Sequence, residues 1–132
     1  MARLTVNVDG GARGNPGPAA IGVVVRDGGE VVAEVGETIG RATNNVAEYR
    51  ALLRGIELAA EHGADEVELV GDSELVVRQV EGRYKVKDAG LRELHAEVKR
   101  ALAGFDDWSI RHVKRAQNAD ADRLVNLALD GA

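Results

Sequence analysis

The chain has 132 residues, 45% hydrophobic and 30% charged, a balance that suits one folded domain with a real core. It has no cysteine, which excludes disulfides, zinc–thiolate sites and thiol nucleophiles. The 17 Lys and Arg against 22 Asp and Glu leave a net charge of −5, so no whole-surface field draws the chain to polyanions.

The N-terminal stretch MARLTVNVDG lacks a long apolar run, so neither a signal peptide nor a membrane span is expected. A cytoplasmic location is the default expectation. Leu4, Val6 and Val8 alternate with polar residues and predict a half-buried strand. GGARGNPGPA then reads as a Gly/Pro loop. Residues 20–26 predict a second strand, Asp27-Gly28-Gly29 a hairpin turn, and residues 30–38 a third strand. Short connections make these three an antiparallel meander. The period then changes. Tyr49, Leu52, Leu53, Ile56, Ala59 and Ala60 repeat at helical spacing between Asn45 and His62. A fourth strand follows at 66–71, a short helix in SELVVRQVEG, an amphipathic helix at 89–103, a fifth strand at 107–113 and a last helix at 120–130. The order βββαβααβα predicts an α/β domain with a mixed five-stranded sheet flanked by helices. Aromatic residues are only 3% of the chain. Tyr49, Trp108 and Tyr84 are therefore expected to pack rather than stack on bases.

Four acids fall at element ends. Asp9 closes the first strand before Gly10 and Gly11, where a turn residue is, taken alone, the more ordinary explanation. Glu48 fits a capping box with Asn45, yet it is also in line with Leu52, Ile56 and Ala59 on the stripe that faces the sheet. A carboxylate there is costly unless a cation or hydrogen bonds compensate it. Gly55, near that face, lets the helix approach the sheet. Asp72 or Ser73 suits the N-cap of the short helix. Asp120 suits the N-cap of the last helix, with Asp122 inside it, and both favour the macrodipole there. Jointly, the four acids can converge on one sheet edge, where they raise one another's pKa or bind a hard cation. Two basic clusters, Arg78/Arg83/Lys85/Lys87 and Arg111/His112/Lys114/Arg115, read equally as solvated faces or anion contacts.

The segments VNVDGGARGNPGPAAIGVVV, ATNNVAEYRALLRGI, VGDSELVVRQVEGRYKVK and HVKRAQNADADRLVNLA carry a resemblance from about Leu4 to Leu129. The chain resembles the type 1 ribonuclease H family, and within it the compact archaeal and bacterial members. The resemblance implies the ribonuclease H-like fold over residues 1–132 as a single catalytic domain. It implies an endonuclease that hydrolyses the RNA strand of RNA/DNA hybrids with two Mg²⁺ ions, Mn²⁺ being an alternative, leaving 5′-phosphate and 3′-hydroxyl ends. The family's acids fall on Asp9, Glu48, Asp72 and Asp122. A histidine that assists product release in several members is replaced by Arg115, expected to contact phosphate. Gly10, Gly11, Asn15, Asn44 and Asn45 match positions that read RNA 2′-hydroxyls, and Arg41 and Thr43 match a pocket for a DNA phosphate. A monomer is expected, and activity on double-stranded RNA is left open by the sequence. The family's long basic protrusion is reduced here to RYKVKDAG, which implies a lower or more salt-sensitive affinity. The chain is read either as a whole protein or as one domain of a fusion.

Overall fold

The computed structural model describes residues 2–131. Its elements are β1 (Arg3–Ala12), β2 (Gly17–Asp27), β3 (Glu30–Ala42), α1 (Asn44–Glu61), β4 (Glu66–Gly71), α2 (Glu74–Val80), α3 (Ala89–Leu102), β5 (Asp107–His112), a 3₁₀ turn (Arg115–Asn118) and α4 (Ala119–Asp130). The sheet order is β3-β2-β1-β4-β5. β1, β2 and β3 pair antiparallel, while β4 joins β1 and β5 joins β4 in parallel. This is the mixed five-stranded sheet expected, in the expected element order. No helix among the described residues is long and apolar enough to cross a membrane.

The pleat sends alternate side chains to opposite faces. Leu4, Val6 and Val8 of β1, Ile21, Val23 and Val25 of β2, and Val67 and Leu69 of β4 share one face. They are buried with Tyr49, Leu52 and Ile56 of α1 and Val98 and Leu102 of α3. Gly55 makes this packing close. A Cβ there would lie 2.7 Å from Val6 Cγ1 and 3.0 Å from Val8 Cγ1. The opposite face receives α4, whose backbone at Ala121 and Leu124 rests on Gly22 and Gly36.

The Gly/Pro stretch read as a loop is mostly strand. β1 runs through Ala12 and β2 starts at Gly17, with Gly10↔Ile21, Gly11↔Ala20 and Ala12↔Ala19 in register. Only residues 13–16 turn the chain, closed by Arg13 N–H donating to Pro18 O at 2.8 Å. Gly10 serves close approach by α1, while Gly14, with a left-handed φ of 102°, and Gly17, packed on the Arg13 carbonyl, serve the turn. β3 likewise continues past residue 38 to Ala42, through a bulge at Gly40, whose φ of 83° is left-handed.

Tyr49 is buried, as expected, and its hydroxyl donates to Gln79 Oε1 at 2.6 Å. Trp108 packs against the core with the Lys99 ammonium 4.6 Å from its ring centre. Tyr84 departs from the expectation. It is 48% exposed in the link between α2 and α3.

Replacing Gly55 by Val drives methyl groups into Val6 and Val8. The expected cost is about 1–3 kcal/mol, seen as a fall in Tm of roughly 5–10 °C on thermal unfolding. A Tm equal to that of the unsubstituted chain would contradict the close packing of α1 on the sheet.

Candidate active site

Strand register brings the first two acids together. β1 and β4 are parallel neighbours with Val8 opposite Gly71. The next residue on each is an acid, Asp9 and Asp72. Glu48 arrives from above, as the fifth residue of α1. Its approach depends on Gly10, because a Cβ at that position would overlap the backbone of Ala47 and Glu48. Gly10 N–H donates to Glu48 Oε1 at 3.2 Å. Ligand oxygens of Asp9, Glu48 and Asp72 all lie within 4.8 Å of one another. Asp9 is 3% exposed and Glu48 8%.

The competing roles for these acids are taken by their neighbours. Thr43 caps α1, its Oγ1 accepting from Val46 N–H at 3.2 Å, so the capping box with Asn45 does not form and Glu48 turns toward Gly10. Ser73 caps α2, its Oγ accepting from Val76 N–H at 3.4 Å, which leaves Asp72 free. Asn118, not Asp120, holds the N-cap position of α4, and Asp120 pairs with Arg26 at 2.6 Å. Asp122 lines the same cleft as the three clustered acids, outside their tight group.

Burial raises the Asp9 carboxyl from 3.8 to about 7, with the charge of Asp72 adding to it. Burial likewise holds Glu48 well above the usual carboxylate range, reinforced by the charge of Asp9. Asp72 Oδ2 is buried without a hydrogen-bond partner. A buried carboxylate oxygen left unmatched, beside two acids that resist ionisation, is the kind of group a cation would satisfy. The tight cluster offers oxygen ligands alone, which suits a hard ion such as Mg²⁺ or Mn²⁺.

The cleft above the acids has a volume of about 400 Å³. Gly10, Gly11, Asn44, Asn45 and Arg115, singled out in the sequence, line it. Asn15 stands one layer behind. Its Oδ1 accepts from Asn44 N–H at 3.0 Å, while Asn44 Oδ1 accepts from Ala12 N–H at 2.9 Å. Arg41 lies elsewhere, in a mainly apolar groove with Pro18, Thr38 and Leu129, and Thr43 is occupied as a helix cap. Arg13 and Asn126 also line the cleft and were not anticipated. Arg13, paired with Asp130 at 2.6 Å, stands in the Gly-rich stretch, where its charge was the available clue.

Sheet order, helix placement and the acid cluster together define the ribonuclease H-like class. Residues 7–128 match the family model described as reverse transcriptase-like. The chain is 53% identical over 131 residues to ribonuclease HI of Halobacterium salinarum, covering 98% of this chain and 66% of that one. The crystal structure of RNase H1 from that archaeon superposes with a TM-score of 0.96, covering 98% of this chain and 99% of that structure. The bifunctional protein Rv2228c of Mycobacterium tuberculosis is 46% identical over 132 residues, covering 98% of this chain and 36% of that one. LC11-RNase H1, solved in complex with an RNA/DNA hybrid, is 45% identical with a TM-score of 0.92, covering 97% of each chain. The chain belongs to the type 1 ribonuclease H family, among its compact members without a basic protrusion.

The raised carboxyls make metal-free stability depend on pH. Protonated Asp9 and Glu48 favour the fold, so their contribution is full below their ordinary values of 3.8 and 4.5. It is lost as pH rises from there through about 7 for Asp9, with Glu48 acting in the same direction. With chelator present, Tm is expected to fall as pH rises from about 4 to about 7. Asp9→Asn flattens that slope and raises Tm at the alkaline end by roughly 5–10 °C. A thermal scan in which Asp9→Asn is the less stable protein at high pH would reverse this reading of the cluster.

Proposed function

We propose that the chain is an endoribonuclease that hydrolyses the RNA strand of RNA/DNA hybrids by a two-metal-ion mechanism. The observation that carries this reading is the close group of buried Asp9, buried Glu48 and half-buried Asp72, with its unmatched Asp72 oxygen, lining an open cleft. Family membership supports it, as does the hybrid complex of the 45% identical LC11 enzyme. All the groups lining the cleft come from one chain, so a monomer suffices.

Asp9, Glu48, Asp72 and Asp122 would hold two Mg²⁺ ions, with Mn²⁺ able to serve in their place. When bound, such ions offset the acids' repulsion, activate water and stabilise the leaving oxygen. The remaining work falls to the chain. Gly10 and Gly11 present flat backbone to the minor groove. Asn44 and Asn45 offer amide donors and acceptors, which match a 2′-hydroxyl that both donates and accepts, and Asn15 orders Asn44 from behind. Arg115 lines the cleft as a permanent cation for a backbone phosphate. Arg41, in its separate groove, and Thr43, at the start of α1, would meet the DNA strand. Water oxygen bonds to phosphorus and the bond to the 3′ oxygen breaks, leaving a 5′-phosphate and a 3′-hydroxyl.

Labelled RNA/DNA hybrid, double-stranded RNA and double-stranded DNA, each with Mg²⁺ and with EDTA, test the proposal. Cleavage of the RNA in the hybrid is expected, abolished by EDTA. Asp72→Asn is expected to fold and to lose more than ~100-fold in kcat, beyond what removal of an outer hydrogen-bond partner costs. Tight hybrid binding without cleavage would leave a binding module instead. An Asp72→Asn protein that cuts at the unsubstituted rate would remove the metal site from the mechanism.

A further inference from the structure

Below the carboxylates, the same face of β1 carries a polar network that the cleft's chemistry leaves unused. Asn7 precedes Asp9 by two residues, so both side chains leave the strand on the α4 side, about 7 Å apart along it. Asn118 ends the 3₁₀ turn and is 2% exposed. Its amide is bonded at both ends. Nδ2 donates to the backbone oxygen of Val8 at 2.8 Å, and Oδ1 accepts from Asn7 Nδ2 at 3.0 Å. Asn7 Oδ1 in turn accepts from the Arg26 guanidinium at 2.8 Å. Arg26 reaches on to Asp120 in the first turn of α4 at 2.6 Å. One continuous path thus joins β2, β1 and both ends of the turn that begins α4.

The placement of Asn118 gives the path its meaning. Val8, whose carbonyl it holds, directly precedes Asp9. Asn118 is also four residues before Asp122, on one face of the helix start, and three after Arg115. A single side chain therefore connects the backbone of Asp9 to the segment bearing Asp122 and Arg115. Two other polar ties of α4, Arg123 to Glu34 at 3.5 Å and Asp130 to Arg13 at 2.6 Å, are exposed ion pairs that fix alignment weakly. α4 lies on Gly22 and Gly36, which present no side-chain knobs to resist sliding or rotation of the helix. A buried amide tolerates only the arrangement that satisfies it, because an unmatched one is costly.

We infer that Asn118 is a positioning residue. With Asn7 and Arg26 it sets the height and rotation of α4, so that Asp122 and Arg115 face Asp9 across the cleft. The inference rests on the nuclease reading of the site. It assigns Asn118 no contact with substrate or cation.

The test compares Asn118→Ala, Arg26→Gln and Asp120→Asn with the unsubstituted chain. Three readouts are needed: kcat and KM on a hybrid, Mn²⁺ affinity by calorimetry, and Tm. Asn118→Ala is expected to lower kcat roughly 10–100-fold, the scale of a misplacement near 1 Å, with KM within about 3-fold of normal. Its Mn²⁺ affinity is expected to weaken as it does in Asp122→Asn. In an Asp122→Asn background, Asn118→Ala is expected to cost little more. A purely structural role predicts a lower Tm with kcat and Mn²⁺ affinity unchanged below melting, and that result overturns the inference. So does full additivity with Asp122→Asn. If Asn118→Ala does not fold, Arg26→Gln and Asp120→Asn decide from the more exposed end of the path. Unchanged kcat and Mn²⁺ affinity in both overturn it as well. A chain that binds Mn²⁺ yet leaves hybrids intact sinks the nuclease reading, and the Mn²⁺ titrations then judge the positioning role alone.

Discussion

Like charges forced together at the ends of two parallel strands are the constraint around which this molecule is arranged. Carboxylates 4.8 Å apart repel by about 3 kcal/mol at an effective dielectric near 20, and here three share the space. That is a sizeable share of the ~5–15 kcal/mol by which a domain is stable. Relief comes from protons held by Asp9 and Glu48, from the Gly10 N–H, and from the helix starts that meet at the cleft. α1, α2 and α4 each begin beside one of the acids, with their N-terminal partial charges toward it.

The rest of the fold holds those helix starts in place. Glycine does much of this by leaving room. Gly55 and Gly10 bring α1 down on one face of the sheet, and Gly22 and Gly36 bring α4 down on the other. Side chains longer than a hydrogen would lift either helix and carry Glu48 or Asp122 away from Asp9. The apolar layer between α1 and the strands supplies the stability. The acid cluster sits at its edge, where Val8 gives way to Asp9.

Much of this was legible in the sequence. Period-2 and period-3.6 patterns located all five strands and four helices, because each element is apolar on one side only. The ends were less legible. A run of Gly and Pro looks like a loop from residue type alone, and only the cross-strand pairing of Gly10 with Ile21 and Gly11 with Ala20 makes it strand. Glu48 resembled a capping partner for Asn45 until the tertiary contact with Gly10 drew it away. Asp72 and Ser73 were equal candidates for one cap, and the hydroxyl took it. Asn118 was invisible because its partners, Asn7 and the Val8 carbonyl, lie over 100 residues earlier. Tyr84 misled because aromatic character says nothing about whether a link is covered.

The raised Asp9 and Glu48 carboxyls also bear on the cation that the proposed mechanism needs. A divalent ion bound there would compete with protons for the same oxygens. On the proposed reading, such a cleft would exchange hydrogen ions for divalent ions. Acidification would oppose occupancy and alkalinity favour it, so the ion concentration needed would be set jointly with the acidity of the surroundings.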